Sequence, residues 1–220
     1  MEIGLLISSP GLSIGQEQVQ LAFWPDNAPD KARNSLDTLT HRLRKVLKDR
    51  LPVPAACYFL VGKGFIQLTN VRVVAVEFVT QAQNGLKLAR QELWWQAGNA
   101  FINAFSFWKN FTHTELFISD QALSFYDDVL ETMRQTCLTW SDMLLRHNRF
   151  DEALLILEKC AKILAQDDDC TALRYQLYLK KNAPLKAREV LTSYHQELLR
   201  LGYSEKEADD TEEDVITTIR

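Results

Sequence analysis

Apolar residues between positions 29 and 48 fall at Ala32, Leu36, Leu39, Leu43, Val46 and Leu47. Steps of three and four keep them on one face of a helix, so the spacing predicts a helix over about 30–48. Pro29 suits its first position, where a missing N–H leaves no hydrogen bond unmade. The opposite face carries Arg33, Asn34, Asp37, Thr40, His41, Arg44 and Lys48. Two shorter apolar segments precede it, at 2–9 and 15–23, and both read as helices of about two turns. Pro10-Gly11 stops the first and Pro25 the second. Pro52 and Pro54 end helical structure, and residues 58–68 form two β-prone runs around Gly62-Lys63-Gly64, which predicts a hairpin.

From about residue 74 the pattern is helical throughout. Residues 76–90, 92–108, 119–147, 150–165, 170–181 and 184–201 each carry apolar residues at helical spacing between short polar joints. Asn148, Ala153 and Leu157 recur as Asn182, Ala187 and Leu191, each 34 residues later. That is the tetratricopeptide period. Trp140, Ser141, Leu144, Ala153, Leu157 and Cys160 take the alternating small and large roles of two crossing helices. Arg174 and Tyr175 replace Trp140 and Ser141 in the second copy, as a copy that closes the stack would have it. Beyond Gly202 the chain reads as a solvated acidic tail with some helix.

The 220 residues, 46% of them hydrophobic, suffice for one or two ordinary domains. Net charge is only -4, but its distribution is uneven. Residues 31–50 hold seven Lys/Arg against two Asp, while 204–220 hold seven acids against Lys206 and Arg220. An anionic partner therefore suits the N-terminal part alone. Phosphate contacts are expected from Lys31, Arg42, Lys45, Lys48 and Lys63, with base-edge contacts from Arg33, Asn34, Thr40, His41 and Arg44. Asp37 is discordant on such a face. It repels a backbone unless it accepts from a cytosine amino group or pairs with Arg33, His41 or Arg44.

Other chemistry finds little support. Cys57, Cys137, Cys160 and Cys170 show no C-x-x-C spacing and read as reduced core thiols, which suits a cytoplasmic chain. The start Met1-Glu2-Ile3-Gly4 lacks the basic residues of a secretion signal. The uncharged run Leu93–Trp108 is too short and too polar to cross a membrane. His41, His113, His147 and His195 are too scattered for a metal pair, and Asp167-Asp168-Asp169 reads as a capped joint rather than a calcium loop. Gly62-Lys63-Gly64 lacks the second half of a phosphate-binding loop and reads as a turn, with a wing tip offering Lys63 as the functional alternative. Trp94, Trp95, Phe101, Phe105, Phe107 and Trp108 read as core, with a partner groove as the other reading. No nucleophile elbow, Cys/His signature or paired carboxylates appear, so no enzyme activity, cofactor or metal is expected.

Phe23-Trp24-Pro25-Asp26, Ala32-Arg33-Asn34-Ser35-Leu36 and His41-Arg42-Leu43-Arg44-Lys45-Val46-Leu47 resemble the second and third helices of the winged-helix domain of bacterial SARP-type activators. Residues 76–203, with Phe150-Asp151-Glu152-Ala153-Leu154 and the 34-residue repeat, resemble the bacterial transcriptional activator domain that follows it. The resemblance implies a mainly α chain with three parts. These are a truncated winged helix-turn-helix with a β-hairpin wing over 1–73, an all-α tetratricopeptide-like repeat domain over 74–203 and an acidic tail over 204–220. The family's leading sheet and the start of its first helix are expected to be absent. The function implied is a DNA-binding transcriptional regulator. Its 30–48 helix would enter the major groove of double-stranded DNA, and its repeats would contact a protein partner or a second copy, with no membrane involved. The other reading is a protein-interaction scaffold whose winged helix no longer binds DNA.

Overall fold

The computed structural model describes residues 2–50, 58–107 and 119–217. The chain divides into two compact units, residues 1–77 with 108–128, and residues 78–107 with 129–220.

In the first unit, α1 (Glu2–Ile7) and a 3-10 turn (Pro10–Leu12) lead into β1 (Ser13–Gly15), α2 (Gln16–Phe23) and α3 (Pro29–Arg50). A hairpin of β2 (Phe59–Val61) and β3 (Phe65–Leu68) follows. The segment 2–9 is thus one helix of six residues, and 13–15 is a strand that the apolar pattern does not reveal. β1 pairs antiparallel with β3, opposing Ile14 to Ile66, and makes a three-stranded sheet of order β1-β3-β2. Three residues are too few for alternation to show, so only the partner strand defines β1.

Val61 opposes Ile66 and Phe59 opposes Leu68, which sets the apolar side of every strand on one face. That face closes on Leu5, Leu6, Val19 and Leu36, with Phe23, Trp24, Leu43 and Leu47 around it. The start of α6 (Asp120–Arg146) joins this unit: Gln121 Nε2 donates to Ser9 Oγ at 3.0 Å, and Ser9 Oγ donates to Leu5 O at 2.7 Å.

Among the described residues six further helices follow: α4 (Val74–Arg90), α5 (Trp94–Phe107), α7 (Phe150–Cys160), α8 (Asp168–Lys180), α9 (Pro184–Arg200) and α10 (Glu205–Thr217). In the second unit four helix joints share one geometry, those from α4 to α5, α6 to α7, α8 to α9 and α9 to α10. Glu92, Asn148, Asn182 and Gly202 each have positive φ, and the next N–H in each case bonds the carbonyl five residues back. This is the Schellman closure of a helix C-terminus, and Asn and Gly tolerate its left-handed residue best.

Five residues after Glu92, Asn148 and Asn182 stand Ala97, Ala153 and Ala187, none more than 1% exposed. The 34-residue pair of copies is therefore preceded by a third. Glu in place of Asn conceals it, as does the length of α6, which spoils the period. Gly85 lies in this earlier copy, and an added Cβ there would sit 2.5 Å from the Phe101 ring.

The acidic segment after Gly202 departs from the expectation of a solvated tail. Ser204 and Glu207 form a capping box, with Ser204 N–H donating to Glu207 Oε2 at 2.8 Å, and α10 buries Ala208 and Val215 against Tyr194, Leu198 and Leu191. Apolar positions among seven acids sufficed to dock it. The copy containing Arg174 and Tyr175 is accordingly not the last layer; Arg174 pairs with Glu158 at 3.1 Å, and α10 covers α9.

Candidate nucleic-acid interface

α3 starts after a turn in which Asn27 N–H bonds Trp24 O, and Lys31 and Ala32 N–H both bond Ala28 O. Its inward face is Ala32, Leu36, Thr40, Leu43 and Leu47, at steps of four, four, three and four. Thr40 is 5% exposed and donates its hydroxyl to Asp37 O at 3.0 Å, so it is no base-contacting residue. Its hydroxyl is satisfied within the helix, which lets a polar residue occupy the apolar face. Val46 makes the opposite departure and is 52% exposed. Helix rotation of about 100° per residue accounts for both, since 40 falls only about 20° beyond 47 at one edge of the inward face, while 46 falls about 40° beyond Ala32 at the other.

The remaining predicted residues of α3, Lys31, Arg33, Asn34, His41, Arg42, Arg44, Lys45 and Lys48, are all exposed. The same rotation sorts them. Asn34, His41, Lys45 and Lys48 form the crest opposite the core. Arg33 and Arg44 share one flank with Asp37, and Lys31 and Arg42 share the other. Thr38, missed in the sequence, stands on the crest between Asn34 and Arg42 and donates its hydroxyl to Asn34 O at 2.9 Å. Counting rotation from Ala32 and Leu36 is the signal that finds it. Among the described residues no ion pair engages Lys31, Arg33, Arg42, Arg44, Lys45, Lys48 or Asp37. The second unit behaves differently: Arg134, Arg146, Arg149, Arg174, Lys181 and Arg200 all face carboxylates.

Lys63 is exposed at the tip of the hairpin. Gly64 there has φ +85, which only glycine adopts readily, and Gln16 fixes the turn from α2. Its backbone N–H bonds Gly64 O at 2.9 Å, and its side-chain Nε2 bonds Gly62 O at 3.0 Å. The wing is thereby tied to the helix that precedes α3.

The aromatic patch divides. Phe101 is fully buried and stacks with Trp140 at 5.8 Å between centroids, whereas Trp95 is 80% exposed. Trp95, Asn99 and Ile102 of α5 line an open groove of about 440 Å³ over Trp140 and His147 of α6, with Glu152 of α7 opposite. Trp108 lies outside the described residues, as do Cys57 and His113. Cys137, Cys160 and Cys170 are free and buried, and hydrogen bonding to Cys160 and Cys170, with burial, holds the Cys137 thiol well above its ordinary pKa. Among the described residues no group of His, Cys, Asp and Glu has the geometry to hold a metal, and no helix is long and apolar enough to cross a membrane.

A turn-linked helix pair with a sheet wing, followed by tetratricopeptide-like helix pairs, defines the class of fold. Comparison with protein-family models and with curated proteins returns no match. Among solved structures the whole chain superposes on Mycobacterium tuberculosis EmbR, solved in complex with a low-affinity phosphopeptide, with a TM-score of 0.60 at 15% identity. The chain spans 59% of that protein's length, and the likeness is one of fold. The C-terminal TPR-containing domain of a Plasmodium falciparum FK506-binding protein also matches over 66% of this chain and 90% of its own, at a TM-score of 0.41 and 14% identity.

Proposed function

We propose that the protein is a DNA-binding transcriptional regulator whose α3 enters the major groove. One observation carries this reading: the exposed cations of α3 have no carboxylate partners, while most arginines of the second unit do. Unpaired cations on a rigid helix are what phosphate neutralisation requires. The fold shared with EmbR agrees with the winged-helix arrangement this reading needs. Lys63 on the tethered wing supplies a further phosphate contact, and the repeats serve a protein partner or a second copy. The exposed groove at Trp95 supports that role.

Asp37 favours the second reading, a scaffold that has lost DNA binding, because an exposed unpaired carboxylate repels phosphate. Fluorescence anisotropy with duplex DNA separates the two. Salt-sensitive binding that Arg33→Glu with Arg44→Glu abolishes, with the thermal midpoint unchanged, supports the regulator. Absence of any salt-sensitive binding to duplex leaves the scaffold.

A further inference from the structure

The two flanks of α3 differ in chemistry, and that difference orients the helix. Beside the flank of Lys31 and Arg42, Trp24 at the end of α2 forms the wall of a depression of about 390 Å³. Asn34, Ser35 and Thr38 line it between the two cations, with Leu39 at its base. Among the described residues no carboxylate lines this trough. Among the described residues, the Trp24 indole N–H, the Lys31 ammonium, the Asn34 amide, the Ser35 hydroxyl and the Arg42 guanidinium have no hydrogen-bonding partner. Five donor groups without an acceptor, in one concave strip, form a site for an oxyanion. On the other flank Asp37 stands between Arg33 and Arg44 and makes phosphate unwelcome.

Lys31 and Arg42 lie eleven residues apart, about 16 Å along the axis at 1.5 Å per residue. A DNA strand places one phosphate per roughly 3.4 Å of duplex axis, so the trough accommodates successive phosphates rather than one. Resting on the DNA-binding reading above, we infer that the sugar–phosphate backbone of one strand lies along the Trp24–Lys31–Arg42 trough, which turns the Arg33–Asp37–Arg44 flank toward base edges. Trp24 donates its indole N–H to a phosphate oxygen, and Asp37 becomes an acceptor for a cytosine amino group instead of an obstacle.

Two probes test this, a short mixed-sequence duplex and inorganic phosphate, each followed through the Trp24 indole N–H resonance assigned with Trp24→Phe. Both are expected to shift that resonance saturably. Lys31→Gln and Arg42→Gln are expected each to lower the slope of log K against log salt by about 0.9. Trp24→Phe weakens duplex binding severalfold at unchanged slope, because a neutral donor releases no counterion. Salt-sensitive duplex binding that leaves the Trp24 resonance and both Gln variants' slopes unmoved overturns the trough and leaves DNA binding standing. A phosphate response lost in the double Gln variant, without duplex binding, keeps the trough as a phosphate site and removes DNA as its source. No response to either probe overturns the trough outright.

Discussion

Thr40 and Gly85 are small exceptions to the patterns around them, and each reports a contact that the chain itself does not display. Thr40 occupies an apolar face because a helix carbonyl takes its hydroxyl. Gly85 admits the Phe101 ring, which is wholly buried. Gly85→Ala is expected to cost about 1–3 kcal/mol by overpacking, offset by up to roughly 1 kcal/mol of helix propensity, and urea denaturation will show the net loss. Tyr194 is a second sensitive residue. Its hydroxyl donates to Asp168 Oδ1 at 2.6 Å, and burial together with that bond holds its pKa far above the ordinary value. The unfolded chain ionises Tyr near 10, so this contribution is complete below about pH 10 and is lost as pH rises beyond it. Tyr194→Phe should lower stability by about 1–3 kcal/mol at neutral pH and flatten the alkaline decline in a pH series of denaturation curves.

Helix joints decide where elements begin and end. Asn148 and Asn182 are legible as a repeat from their 34-residue spacing, and their positive φ supplies the physical reason. Asn148→Gly should leave the thermal midpoint unchanged or slightly higher, whereas Asn148→Val should cost about 1–2 kcal/mol by forcing a β-branched residue into the left-handed region. The Glu92 joint repeats the same geometry without the same residue, so spacing cannot find it.

α10 is the element read least well. Composition makes it solvated, yet its capping box and two buried residues dock it on α9. The Ser204 backbone N–H, then its hydroxyl, hold the Glu207 carboxyl below its ordinary pKa. That stabilisation is present above the unfolded Glu value of about 4.3 and is lost as pH falls through the lower folded value. Acidification below about pH 4 should therefore lower the amide-exchange protection factors of the first turn of α10, taken against the intrinsic rate at each pH, before the rest of the unit opens, and Glu207→Ala should produce the same loss of protection at neutral pH.

At the scale of the whole molecule, charge is partitioned between free cations on α3 and paired ones in the repeats. If α3 is the nucleic-acid face, duplex affinity should fall steeply with salt and be largely removed by the Arg33→Glu and Arg44→Glu pair, as anisotropy will show. The order of helices, the hairpin, the 34-residue repeat and the basic face were all legible along the chain, because each rests on local periodicity or on a turn residue. The strand at 13–15, the burial of Thr40, the docking of α10 and the donor-lined trough beside Trp24 were not, because each depends on a partner distant in sequence or on rotation about an axis. Local spacing determines which side chains share a helix face; only packing against other elements determines which of those side chains meet the core and which are left for a ligand.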